Sequence, residues 1–267
     1  MALSRVLTLS DAGPDPTAPP ETRRSIRIEL LVVFSVTLGA SGVRAAINLV
    51  NNLLKPVPLA GQQVSVVAPQ SSVSWADLAL QLTSIGVGIA WGALGVYLLW
   101  RAGFRLGRDI GLSWRFGDLG RAVLLAAAIG LTGLVFVVVT YRLGFSTRIA
   151  PATLDDHWWT IPILVLAALE NGFLEEVLVI GYLLTRLRQL GVDPWLALLV
   201  SALLRGSYHL YQGPGQAVGN ALMGLVFGFV WLKWRRLWPL VGAHTLIDIG
   251  AFVGYYFVSD WYNNLLG

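Results

Sequence analysis

The 267-residue chain has no cysteine, three histidines, two methionines and only two lysines, Lys55 and Lys233. Without thiols there is no disulfide, no thiolate metal site and no cysteine nucleophile. Charge is scarce as well: Asp, Glu, Lys and Arg make up 13% of the chain, against about 25% in an average globular protein. That supply cannot cover a soluble protein of this size, and it is the reverse of the balance that keeps a chain disordered. Apolar residues fill the difference, at 55% of the composition and a mean hydropathy of +0.66. They come in long runs, which points to a protein embedded in a membrane.

The formal charge of +4 and pI near 9.6 raise the question of a nucleic-acid partner. The basic residues lie between apolar segments rather than in a stripe interleaved with aromatics, so none is expected. Residues 1–27, which include DAGPDPTAPPETRR, read as a flexible cytoplasmic tail, and residues 28–267 as a single transmembrane domain. No basic start followed by an apolar core and a small-residue cleavage site marks a signal peptide. Apolar segments fall near 28–50, 76–100, 122–141, 160–185, 195–212, 216–232 and 238–258. Each is about long enough for a hydrocarbon core of roughly 30 Å at ~1.5 Å per residue. The expected fold is an all-α polytopic transmembrane bundle of seven spans, or eight if the start of the fourth breaks off as a short helix.

The basic residues also orient the bundle. With the N-terminus inside, one side holds Arg5, Arg23, Arg24, Arg27, Arg101, Arg105, Arg108, Arg115, Arg121, Arg186, Arg188, Lys233, Arg235 and Arg236. The other side holds only Lys55, Arg142 and Arg148, so strict alternation predicts N-in and C-out. Trp100, Trp158, Trp159, Trp195, Trp238, Trp261 and Tyr262 fall at segment ends, where interfacial aromatics belong. The 29 glycines let helices approach closely, as packing in lipid requires.

Against this apolar background a few ionisable residues stand inside spans. Each costs at least ~2.5–3.5 kcal/mol on insertion scales and is a functional candidate by default. The fourth segment carries Glu170, Glu175 and Glu176, the fifth Arg205 and His209, the seventh His244 and Asp248, and the first Arg44. His244 and Asp248, four apart, share a helix face. Glu175 and Glu176 are adjacent and diverge by ~100°, so one is expected to do chemistry while the other pairs with a neighbour. A desolvated carboxylate is a good general base, and imidazoles can hold a water or donate to an oxyanion. The same side chains suit a divalent metal such as zinc, with Glu175, His209, His244 and Asp248 as candidate ligands. Spacing alone leaves metal and metal-free chemistry open.

The runs EEVLVIGYLLTRL (175–187), LLRGSYHLYQGPG (203–215) and HTLID (244–248) resemble the three motifs of the CPBP family of CAAX prenyl proteases and bacteriocin-processing endopeptidases, over about residues 157–258. The resemblance implies an intramembrane endopeptidase and a role for each of five residues. Glu175 would activate the attacking water, with Glu176 as its partner. His209 would help bind that water, and His244 with Asp248 would stabilise the oxyanion. Two positions depart from the family pattern: Ile180 stands where an Arg is expected, and Arg205 where a Phe is expected. A natural hypothesis is that Arg205 supplies the missing charge to Glu176 from the next helix.

The implied partners are membrane lipid and a membrane-associated protein or peptide substrate, with no cofactor beyond that candidate metal. The Arg-over-Lys bias fits a bacterial plasma-membrane protein. Other readings are a catalytically inactive scaffold or immunity protein built on the same core, and a transporter, since buried acids and histidines also line ion pathways. Gly-Ala-Ser-Gly at 39–42 is similar to a rhomboid serine motif, but Ser41 lies in the first span and small residues there are expected simply to pack. No His-Glu-x-x-His is present.

Overall fold

A computed structural model describes residues 20–266, and it is mostly helical. The helices are α1 (Pro20–Val36), α2 (Leu38–Leu53), α3 (Ser74–Arg101), the one-turn α4 (Leu106–Asp109) and α5 (Phe116–Arg142). They continue with α6 (Thr160–Glu175), a π-helical stretch (Glu176–Tyr182), α7 (Leu183–Gln189), α8 (Pro194–Tyr208), α9 (Pro214–Trp234) and α10 (Trp238–Leu266). Residues 20–27, expected in a flexible tail, instead form the first turns of α1. The rest of that tail lies outside the described residues.

Among the described residues four helices are long and apolar enough to cross a membrane: α3, α5, α9 and α10. The pair α1 and α2, bent by 49° at Thr37, makes a fifth if it is one span. The two other expected segments form helices but miss that standard for physical reasons. The fourth is divided by the π-helical stretch into pieces of 16, 7 and 7 residues. The fifth, α8, has 15 residues and is only ~22 Å long at 1.5 Å per residue. The lipid-facing character is plainest in α5, where only Asp118, Ala122 and Thr140 are buried. An apolar helix left uncovered by its own protein suits a hydrocarbon solvent.

One correction to an all-helical expectation is a two-stranded parallel sheet. β1 (Gln63–Val67), in the α2–α3 connection, pairs with β2 (Arg148–Ala152), in the α5–α6 connection, with Gln63 opposite Arg148 and Val67 opposite Ala152. Next to it, the Thr147 amide and hydroxyl both donate to the Gln212 carbonyl after α8. Arg142 and Arg148 donate to the carbonyls of Leu265 and Asn263, near the end of α10. These ends therefore share one side of the bundle. At the opposite end Glu29 of α1 pairs with Arg186 at 2.7 Å, and Arg236, just before α10, pairs with Asp118 of α5. Two of the expected interfacial aromatics are instead buried, Trp159 and Tyr262.

Glycine seams hold the helices at backbone distance. On α3, Gly88, Gly92 and Gly95 face Glu170, Phe173 and Leu178, each too close to admit a methyl group without movement. A methyl on Gly172 would lie 2.6 Å from Thr245 Oγ1 and 2.9 Å from the Thr245 amide, so α6 and α10 touch there. The largest apolar core surrounds this crossing, with Val177, Leu178, Ile180, Tyr182, Phe227 and Trp231 fully buried or nearly so.

Candidate active site

The π-helical stretch begins at Glu176, so the two glutamates straddle a change of helical winding, a feature common at functional sites. Contrary to the expectation that they diverge, both reach one group. Arg205, on α8, is fully buried, and its Nη2 lies 3.1 Å from Glu175 Oε2 and in direct contact with Glu176 Oε1. A buried charge persists only when paired, and here one guanidinium serves two carboxylates. Its stem fits because Gly224 on α9 stands opposite, where a methyl group would be 3.1 Å from Arg205 Cδ. The Phe227 ring lies beneath it, 5.7 Å from the guanidinium carbon.

The other expected residues gather around this pair. His244 Nδ1 is 2.9 Å from Glu176 Oε1 and 3.0 Å from Arg205 Nη2, so a protonated Nδ1 donates to Glu176. Its Nε2 faces Asp248 Oδ2 one turn along α10, at 3.6 Å. His209, the residue that ends α8, has both ring nitrogens buried and without a hydrogen-bond partner among the described residues. Its Nε2 stands 3.9 Å from Glu175 Oε1, beyond direct hydrogen bonding. The helix ends there because the chain turns through Leu210–Gln212 and Gly213, whose φ of +109° favours glycine, before Pro214 opens α9. A short α8 thus brings His209 to the level of Glu175, a match that a full-length fifth span would not give.

Two residues of the site went unanticipated. The Tyr208 hydroxyl donates to Glu175 Oε2 at 2.7 Å, and the Asn171 amide donates to Asp248 Oδ2 at 2.7 Å. The signal available for both was the one used for the others, a polar group inside an apolar segment. Glu175 is thereby held through Oε2, while Oε1 faces His209. Of the remaining candidates, Glu170 reaches the notch at Gly88 on α3, His157 lies tilted against Trp159 with ring centroids 4.9 Å apart, and Ser41 donates back to the Thr37 carbonyl at 3.5 Å.

Among the described residues no three His, Asp or Glu side chains form a metal-holding group, so Glu175, His209, His244 and Asp248 do not converge on one ion as placed.

Residues 157–250 match the family model described as Rce1-like, type II CAAX prenyl endopeptidase. The resemblance drawn from the three motifs holds over that stretch, which contains every residue of the constellation. No curated protein and no solved structure matches the chain.

Proposed function

We propose that this membrane protein, with its Rce1-like stretch, is an intramembrane endopeptidase that hydrolyses a peptide bond of a membrane-associated protein or peptide with water activated by Glu175. The observation that carries the reading is the approach of Glu175 Oε1 to the buried His209 ring across 3.9 Å. One water can bridge polar groups at such a separation. Glu175 would take a proton from that water as its oxygen adds to the scissile carbonyl. His244, whose Nδ1 meets Glu176 and whose Nε2 faces Asp248, would donate to the developing oxyanion. Collapse of the tetrahedral species breaks the C–N bond, and the proton held by Glu175 passes to the leaving amine. Each of these roles falls to a side chain of this chain.

The domain of 28–267 with its catalytic core at about 157–258, the N-in orientation and a bacterial plasma-membrane location belong to the same proposal. The unusual arginine favours one second reading, a catalytically inactive scaffold, because it ties Glu175 Oε2 into a buried ion pair. Purified protein in lipid, compared with Glu175→Gln on a pool of membrane-protein substrates, separates the two by terminal-peptide mass spectrometry. The protease reading expects new termini only with the wild type, and a rate loss of roughly 10²–10⁴-fold in the variant. Identical termini from both would support the scaffold. Chelator is expected to leave the wild-type rate unchanged.

A further inference from the structure

α6 and α10 run antiparallel and meet in rungs. Glu176 Oε1 meets His244 Nδ1 at 2.9 Å, Gly172 is pressed against Thr245, and the Asn171 amide donates to Asp248 Oδ2 at 2.7 Å. The first rung is sealed, with the Glu176 side chain at 0% exposure. The last is not: Asn171 is half-buried and the Asp248 side chain is 13% exposed. It is the rung at which a group from another molecule can still be met.

Its placement ties it to the reacting centre. Asn171 stands one turn before Glu175 on α6, and residues four apart share a helix face with ~5–6 Å between their Cβ atoms. Asp248 stands one turn after His244 on α10, with its Oδ2 3.6 Å from His244 Nε2. Two nitrogens, Asn171 Nδ2 and His244 Nε2, therefore converge on one oxygen. Nitrogens that approach one oxygen together are also close enough to approach a second oxygen placed beside it. The Asn171 amide has two hydrogens and spends one on Asp248; the other has no acceptor among the described residues. The His244 Nε2 edge, at 3.6 Å, is not spent on Asp248 either. Asp248 itself acts as an acceptor here, since it takes the Asn171 N–H. A carboxylate oxygen repels a developing oxyanion, whereas an amide N–H stabilises it.

We infer that Asn171, rather than Asp248, is the second donor to the oxyanion beside His244, and that Asp248 is the positioning residue that aims the Asn171 amide. This rests on the protease reading. As the water oxygen adds to the scissile carbon, the carbonyl π pair moves onto its oxygen. The free N–H of Asn171 meets that charge, while Glu175, one turn along the same face, holds the proton taken from the water. The separation of one turn leaves room for a tetrahedral carbon between the two side chains, with a hydrogen bond of ~2.7–3.1 Å to Asn171.

The test uses the full chain in lipid and a peptide that the wild type cleaves. Asn171→Leu should lower kcat by about 10²–10³-fold with KM held, the mark of an interaction made only in the transition state. Because this change also strands the Asp248 carboxylate, two double variants separate chemistry from folding. Asn171→Leu with Asp248→Leu removes both the lone carboxylate and the donor. Asn171→Leu with Asp248→Asn removes the carboxylate and returns an amide from the other side of the contact. Both should melt closer to the wild type than Asn171→Leu does, but only the second should regain kcat, by about tenfold or more over the first. Equal rates in the two doubles overturn the donor role. Asp248→Leu alone keeps the Asn171 amide and should lose less than Asn171→Leu; the reverse ranking returns the donor role to Asp248.

Binding supplies a readout that a packing role would not move. Two uncleavable copies of the peptide are compared: a phosphinate, which places an anionic oxygen where the oxyanion forms, and a ketomethylene, which keeps a neutral trigonal carbonyl there. Asn171→Leu should weaken the phosphinate by the same factor as kcat/KM and leave the ketomethylene nearly unaffected. Equal weakening of both overturns the assignment. Failure of the protease reading has its own signature, identical termini from the wild type and Glu175→Gln, and the donor assignment then falls with it. Termini unique to the wild type, with Asn171→Leu at full kcat, sink the donor assignment alone.

Discussion

Arg205 concentrates the energetics of the site in one side chain. Its guanidinium pairs with two carboxylates from the fully buried centre of the bundle. Arg205→Ala is expected to cost ~3–5 kcal/mol, because it strands buried charge. Thermal unfolding in detergent measures it, and Glu176→Leu added to Arg205→Met should recover only part of the loss, since Glu175 stays unpaired, without restoring turnover. Tyr208→Phe makes a gentler prediction. It removes one hydroxyl from Glu175 Oε2 and keeps the ring, so the fold should persist while the rate falls by the worth of one hydrogen bond, ~0.5–1.5 kcal/mol. An unchanged kcat would mean that Glu175 is positioned by Arg205 alone. At this scale much was legible, because a carboxylate or imidazole in an apolar run announces itself. The reach of one arginine to both glutamates was not, since it depends on how two helices meet rather than on either one's spacing.

The arrangement of these side chains depends on how closely the helices pack. Gly172→Ala would press a methyl group onto the backbone of Thr245 and wedge α6 from α10, separating Glu176 from His244. Overpacking of this kind costs ~1–3 kcal/mol, so both melting temperature and activity should drop. Gly130→Ala, on lipid-facing α5 with its nearest neighbour at 3.6 Å, should change neither. Helix existence was readable from the apolar runs, and helix interruption was not. Nothing in EVLVIGY marks a π-helical stretch, because the extra residue is accommodated by contacts from α3, α8 and α9. The early end of α8 was hidden for a related reason: LLRGSYHLY is apolar enough to continue, and Gly213 and Pro214 come several residues later. β1 and β2 escaped notice because QVSVV and RIAPA are short, far apart in sequence and carry a proline in one strand.

Across the whole molecule, ion pairs at one end and the sheet at the other sort the connections into two sets. Reporter tags at 55 and 148 should fall on one side of the membrane and tags at 108, 188 and 235 on the other, with protease protection of sealed vesicles as the readout. Mixed accessibility within either set would break the proposed topology. The charge asymmetry that predicted it was visible in the chain, whereas the number of complete spans depends on breaks that composition does not report. The sheet carries a consequence for assembly. β1 waits for a partner until three intervening helices and then β2 have been made, and loop closure over so long a stretch is entropically slow. The first half of the chain therefore enters the bilayer with its strap unfastened and its glycine seams bare. Its docking is completed from the second half, so the later helices act as the template on which the earlier ones are ordered.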